Sequence, residues 1–387
     1  MAPVGDARHA WAALLLPRGA VNSNSDVEAV ARLFGELGLS DALGGLAAIV
    51  PIAAAALLGD DSQAKLPAEK IILLLTLADC TDPAQEEALG RLVRKGFRLM
   101  ADGVPAEGTS LLASVGAVAN DAGVGAEAGA DLAAVKHLAP AHLATGVDDQ
   151  ASFERCRHAG YRWFAGDYPL TLRAPRSQPP GSPRTLLLRL LAMVTSDADS
   201  RDIETLLKQD PALSYHLLKL VNSVSFALTT TITSFSYAIT LLGRRQLQRW
   251  LQLLLYAQQR RGDDASPLLA RAARRAAFME ALSVATGGNK EEQDHAFMTG
   301  MFSLLDALFC MPLDKIVTPL HLSGDVEEGL LAHGGRLGRL LSLVERSEQP
   351  PTATLSDELK AIPLSPVAYA RALVSACAWA IQVSRDT

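Results

Sequence analysis

The sequence predicts two folds in succession, an α/β N-terminal half of repeating βα type and an all-helical C-terminal half. Three observations predict this. Short, continuous apolar runs alternate with helical stretches through Tyr168, the pattern of a parallel sheet with crossover helices. The stretch Arg173 to Arg184, RAPRSQPPGSPR, then breaks the pattern with prolines, a glycine and serines, and such a composition forms no regular element. Beyond it strand signals fade and leucines recur at helical spacing. These features divide the chain into residues 1–172, a Pro-rich linker at 173–184, and residues 185–387.

In the first half, helices are expected at Val27 to Leu37 and Pro83 to Lys95. Strands are expected at Lys70 to Leu77 (KIILLLTL), Arg98 to Ala101 and His142 to Val147. KIILLLTL carries no polar alternation, as befits a strand buried on both faces. In the second half, Asp210 and Pro211 supply an N-cap and a first helical residue, where the missing proline N–H is harmless. Leu213, Leu217, Leu220 and Val221 follow at helical spacing. Ser234 is placed to cap the next helix and Gly243 to end it. Arg244 to Gln258 continues with Leu247, Trp250, Leu251, Leu254 and Leu255. Further helices are expected at Leu268 to Ala285, Asp294 to Phe309, Val326 to His333, Gly335 to Glu345 and Pro366 to Val383.

At 387 residues, with 49% hydrophobic and 20% charged, the chain can bury a core in each half and is not of disordered composition. The net charge of −6 gives no general affinity for nucleic acid or anionic membranes. The acidic balance belongs to the first half, with 14 basic and 21 acidic residues through Pro175 against 22 and 21 afterwards. Cys80, Cys156, Cys310 and Cys377 form no CxxC pair, so buried free thiols of a cytoplasmic protein are expected. Ala42 to Gly59 is uncharged, but its glycines, Pro51 and many alanines fit a buried strand and helix better than a membrane span.

The segment DIETLLKQDPALSYHLLKLVNS (Asp202 to Ser223), followed by ITSFSYAITLLG (Ile232 to Gly243), resembles the HDOD family, helical domains related to HD phosphohydrolases. AFMTGMFSLLDALFCMPLDKI (Ala296 to Ile316) is similar to that family's second helix. In the first half, KIILLLTL, RLVRKGFRLMADGV (Arg91 to Val104) and HLATGVDDQASFERCRHAGYRWFAGDY (His142 to Tyr168) resemble an EAL domain. That resemblance implies a TIM-like barrel of a cyclic di-GMP phosphodiesterase. The stretch before Lys70 is short for one, so an incomplete or rearranged barrel is expected.

Both resemblances imply metal chemistry that the residues do not support. EAL hydrolysis needs several carboxylates to hold two dications. The family's strand glutamate falls at Leu74, and a second acidic position near Leu77. Its paired aspartates fall at Asp102 and Gly103. Its lysine falls at Ala119, with Asp121 retained, and a later lysine and glutamate fall at Gly146 and Asp148. AALLLPR stands where the family's Glu-Ala-Leu belongs. Asp102, Asp121 and Asp148 are therefore expected as strand-end or capping residues. In the HD helix, Gly300-Met301-Phe302-Ser303-Leu304 puts Ser-Leu at the His-Asp position. The nearby Asp294-His295 precedes that stretch, with Asp294 expected as an N-cap.

No cofactor, metal ligand or catalytic residue is thus expected, and the function expected is regulatory, through protein–protein contact in motility, attachment or stress control. His216, Lys219 and Asn222 of the signature helix are candidate contact residues. Eight arginines lie between Arg244 and Arg275 against Asp263 and Asp264. Of these, Arg244, Arg245, Arg271, Arg274 and Arg275 are candidates for an acidic partner, although a solvated face of two helices is the favoured account. The expected partner is another signalling protein or a second copy of the chain, with no membrane and no nucleic acid. A cyclic di-GMP or nucleic-acid sensor, or a remnant phosphodiesterase, is the alternative.

Overall fold

The structure, a computed structural model, describes residues 1–53, 64–106, 109–123, 135, 138, 141–171, 183–196, 198–207, 235–257, 266–320, 322–349, 359 and 362–386. Eight strands close into a barrel: β1 (Ala2–Asp6), β2 (Trp11–Leu15), β3 (Ala47–Pro51), β4 (Ile71–Thr76), β5 (Arg98–Asp102), β6 (Ala117–Asp121), β7 (Leu143–Thr145) and β8 (Trp163–Phe164). Strands β2 to β8 run parallel to one another, while β1 is antiparallel to both neighbours, with Ala2 opposite Leu15 and Gly5 opposite Phe164.

The expected shortfall of the barrel does not lie in its strands. The ring is complete, and the departure from a regular βα repeat is the β1–β2 hairpin. Helices α1 (Asn24–Phe34) and α2 (Leu39–Leu43) follow β2, α3 (Leu77–Thr81) and α4 (Glu86–Arg94) follow β4, and α5 (Gln150–Ala159) follows β7. The chain leaves β8 through α6 (Tyr168–Thr171).

The lack of alternation in KIILLLTL has a direct structural cause. Ile72 and Leu74 join Val4, Ala13, Ile49, Met100, Ala119 and Leu143 in the cluster inside the barrel. Ile71, Leu73 and Leu75 belong instead to the cluster under the helices. Both faces are dry, so both are apolar. The uncharged Ala42 to Gly59 stretch supplies α2 and β3, while residues 54–63 lie outside the described residues.

The C-terminal half is helical: α7 (Pro183–Thr195), α8 (Ser200–Leu207), α9 (Phe235–Ala257), α10 (Pro267–Ala285), α11 (Lys290–Phe302), α12 (Leu305–Phe309), α13 (Leu313–Val317), α14 (Gly324–Leu331), α15 (Gly335–Arg346) and α16 (Pro366–Asp386). Gly243 interrupts α9 at φ 71°, ψ 157°, a left-handed φ that glycine adopts without a Cβ clash. The stop read from the sequence is therefore a kink between two helical stretches. Gly300 lets α11 cross α10 closely, since a Cβ there would lie 2.7 Å from Ala276 Cα and from the Arg275 carbonyl.

Residues 173–182 of the linker and the capped start at Asp210 lie outside the described residues, while Pro183 and Arg184, expected as linker, open α7. Helix α16 is the one described helix whose length and composition would allow a membrane span, and it packs along α10 and α2. Through α2 and α16 the halves meet directly, and the cluster beneath the barrel's helices continues into the helical half. The expectation of a separate core for each half holds only for the barrel interior. Cys80, Cys156 and Cys377 are buried free thiols as expected, but Cys310 is exposed at the end of α12.

Candidate functional site: the barrel mouth and the arginine face of α10

Catalytic residues of (β/α)8 barrels sit at the C-terminal ends of the parallel strands, which makes that mouth the first candidate site. Asp102 ends β5 and forms a two-point ion pair with Arg18, which follows β2; the Arg18 Nη2 to Asp102 Oδ1 distance is 3.0 Å. Asp121 ends β6 and its Oδ1 accepts from the Gly123 amide at 2.9 Å. Asp148 Oδ1 accepts from the Asp167 amide at 3.4 Å. Only the Asp121 bond is the local strand-end contact expected of the three aspartates; Asp102 instead bridges to Arg18, 84 positions away, and Asp148 to the segment after β8.

Two dications do not fit the described mouth. Leu74, which the resemblance places at the family's glutamate position, is a buried member of the barrel-interior cluster, next to Met100 in the β4–β5 register. It offers no oxygen and excludes water. Ala119, at the family's lysine position, is in the same cluster. Among the described residues no three His, Cys, Asp or Glu side chains gather as a metal site.

The antiparallel β1 brings its own beginning to this same rim. Its pairing with β2 and β8 puts the start of β1 at the C-terminal end of β2, on the rim from which Asp167 follows β8. Here the helical half reaches the barrel. Arg271 Nη1 lies 2.8 Å from Asp167 Oδ1, and Arg274 Nη1 donates to the Met1 carbonyl at 2.7 Å.

Arg271, Arg274 and Arg275 stand at i, i+3 and i+4 on α10, hence on one face. All three are buried, at 8%, 2% and 6% exposure. Each reaches Glu348 at 2.8 Å. Arg275 also bonds Ser303 Oγ at 3.0 Å and Glu345 Oε1 at 3.1 Å. Burial alone would raise the Glu348 carboxyl, but Arg275, Arg274 and Arg271 reverse that and hold it far below the usual carboxylate range. Ser303 is the residue that the resemblance places at the His position of the HD dyad, and here it accepts from the Arg275 guanidinium.

For the six arginines of the cluster among the described residues, this corrects the reading as a solvated face, and equally the reading as an open cationic surface for a partner; Arg260 and Arg261 lie outside the described residues. Arg271, Arg274 and Arg275 are internal. Arg244 donates to the Ala198 carbonyl at 2.6 Å. Arg245 and Arg249 pair with Glu280 and Asp294, and Arg249 lies over the Phe297 ring at 4.1 Å. Asp294 is not an N-cap. Asn289 caps α11, in a capping box with Glu292, and Asp294 lies within the helix as an ion-pair partner. His216, Lys219 and Asn222 lie outside the described residues.

Sequence reasoning missed Glu348, Glu345 and Asp167. A signal was present: LLARAARRAAF has apolar residues on every side of its arginines, and a helix apolar all round is a buried one.

The HDOD domain model matches residues 181–313. The chain carries an HDOD domain. Its match spans α7 to the start of α13, so Glu345 and Glu348, which neutralise the arginine face, lie beyond it. Cyclic di-GMP phosphodiesterase CdgJ of Vibrio cholerae is 31% identical over 210 residues, covering 54% of this chain and 48% of the relative. YuxH of Bacillus subtilis is 31% identical over 153 residues, covering 39% and 37%. The chain thus spans about half the length, or less, of these relatives. The Bacillus subtilis YkuI protein, whose structure has an EAL domain with cyclic di-GMP and calcium, superposes with a TM-score of 0.33 at 15% identity, over 64% of this chain and 71% of that one.

Proposed function

We propose that the chain is a cyclic di-GMP signalling protein of EAL and HDOD type that acts by binding and contact rather than by hydrolysis. One observation carries this reading: Leu74, which the resemblance places at a ligand glutamate position, packs as hydrocarbon in the barrel interior with Met100 and Ala119. The carboxylates left at the mouth are engaged by Arg18, Gly123 and Asp167. The cyclic di-GMP context is supported by the relative CdgJ, which is named a phosphodiesterase. The same name favours a second reading, in which this chain keeps that activity.

The contact is made with another signalling protein in the cytoplasm, through the HDOD helices or the barrel mouth. Calorimetric titration of the purified chain with cyclic di-GMP, with and without Mg²⁺ or Mn²⁺, tests both readings when product is assayed by chromatography. Binding with no product is the expected result. Metal-dependent product would establish the second reading, and no binding at all would remove the nucleotide from the proposal.

A further inference from the structure

We propose that the arginine face of α10 is an electrostatic latch, whose charge balances only when the helical half is docked on the barrel rim. The helical half brings Arg271, Arg274 and Arg275 together but answers them with two carboxylates, Glu348 and Glu345. One buried positive charge is left over; the Met1 amino group that the barrel brings beside Arg274 adds little, because burial lowers its pKa to about 6. Asp167, on the barrel, supplies the missing negative charge at 2.8 Å from Arg271. A buried charge without a partner is strongly destabilising, so docking the rim satisfies the helical half as well as the interface.

Two further features make this a moving part. An apolar pocket of about 340 Å³, open to solvent, lies beside the latch, bounded by Met1, Leu16 and Leu33 on the barrel and by Ser347, Tyr369 and Leu373 on the helices. Asp167, moreover, is exposed, while its partners on the helical side are buried. Its amide is bonded to Asp148, so it belongs to the mouth. A ligand or partner that draws Asp167 away leaves the surplus cation in the helical half, which then opens along the pocket. The latch does not depend on nucleotide binding.

Amide hydrogen exchange on the full chain tests it, with Asp167→Asn and Asp167→Glu compared to the parent. Asp167→Asn should raise exchange roughly fivefold in residues 267–275 and 335–349, far along the chain from the substitution. Exchange in β4 and β5 should stay unchanged. Asp167→Glu, which keeps the charge, should restore most of the protection. The proposal is overturned by a change confined to residues 163–171, by no change, or by an equal rise in β4 and β5, which would mean general loss of stability.

Discussion

Arginine–carboxylate pairs occur at the barrel mouth and on α10, with opposite physical weight. Arg18 and Asp102 meet with side chains 56% and 29% exposed, whereas Glu348 and its arginines are almost fully enclosed. Water competes for the first pair and screens it, so its net contribution is small. The second set has exchanged water for one another, and removing any member leaves a charge stranded. The difference teaches that burial, not the count of charges along the sequence, decides which arginines can meet a partner and which hold the molecule together.

The largest expected effect breaks the buried side of that comparison. Glu348→Ala should cost about 3–5 kcal/mol in chemical denaturation, since three guanidiniums lose their shared acceptor. A loss under about 1 kcal/mol would show that the arginines find water or other acceptors. Gly300→Ala attacks the same region by packing alone. The close Ala276 and Arg275 backbone should make it cost about 1–3 kcal/mol, read as a lowered urea midpoint.

A smaller effect concerns a buried titratable group of the barrel and is visible only on acidification. His142 Nδ1 accepts the Val118 amide at 3.2 Å, and burial lowers its pKa from 6.5. The folded barrel therefore keeps the neutral ring. Stability from this source is complete above pH 6.5 and falls as pH drops below it, because the unfolded chain takes up the proton first. Thermal melts from neutral to mildly acidic pH should show a decline that His142→Gln reduces. An equal decline in both proteins would exclude this residue as the source.

The smallest effect sharpens the exposed side. Asp102→Asn should change stability by about 0–1 kcal/mol. A larger loss would make the Arg18 bridge across the mouth a structural tie rather than a solvated contact.

Much of the fold was legible because its signals are local. The β4 and β5 runs, the Pro83 start and the Gly243 interruption all depend on residues within a few positions, through burial on two faces or a φ only glycine takes readily. The barrel interior at Leu74 was legible too, because a leucine supplies no oxygen wherever the chain puts it. Asp294 was misread for the opposite reason. Its local sequence suits a cap, but Asn289 and Glu292 form the capping box first, and Asp294 then lies where Arg245 and Arg249 can reach it.

The sequence by itself determined the order of a βα half and a helical half, the hydrocarbon at the ligand positions and the HDOD signature. Each follows from residue type and short-range spacing. Tertiary structure alone decided that the barrel closes through an antiparallel first strand, and that Met1 and Asp167 meet α10. It also decided that Glu348, 73 positions from Arg275 along the chain, neutralises the arginine face. Electrostatic interaction depends on distance and burial in space, and neither is written in the separation between two residues along the chain.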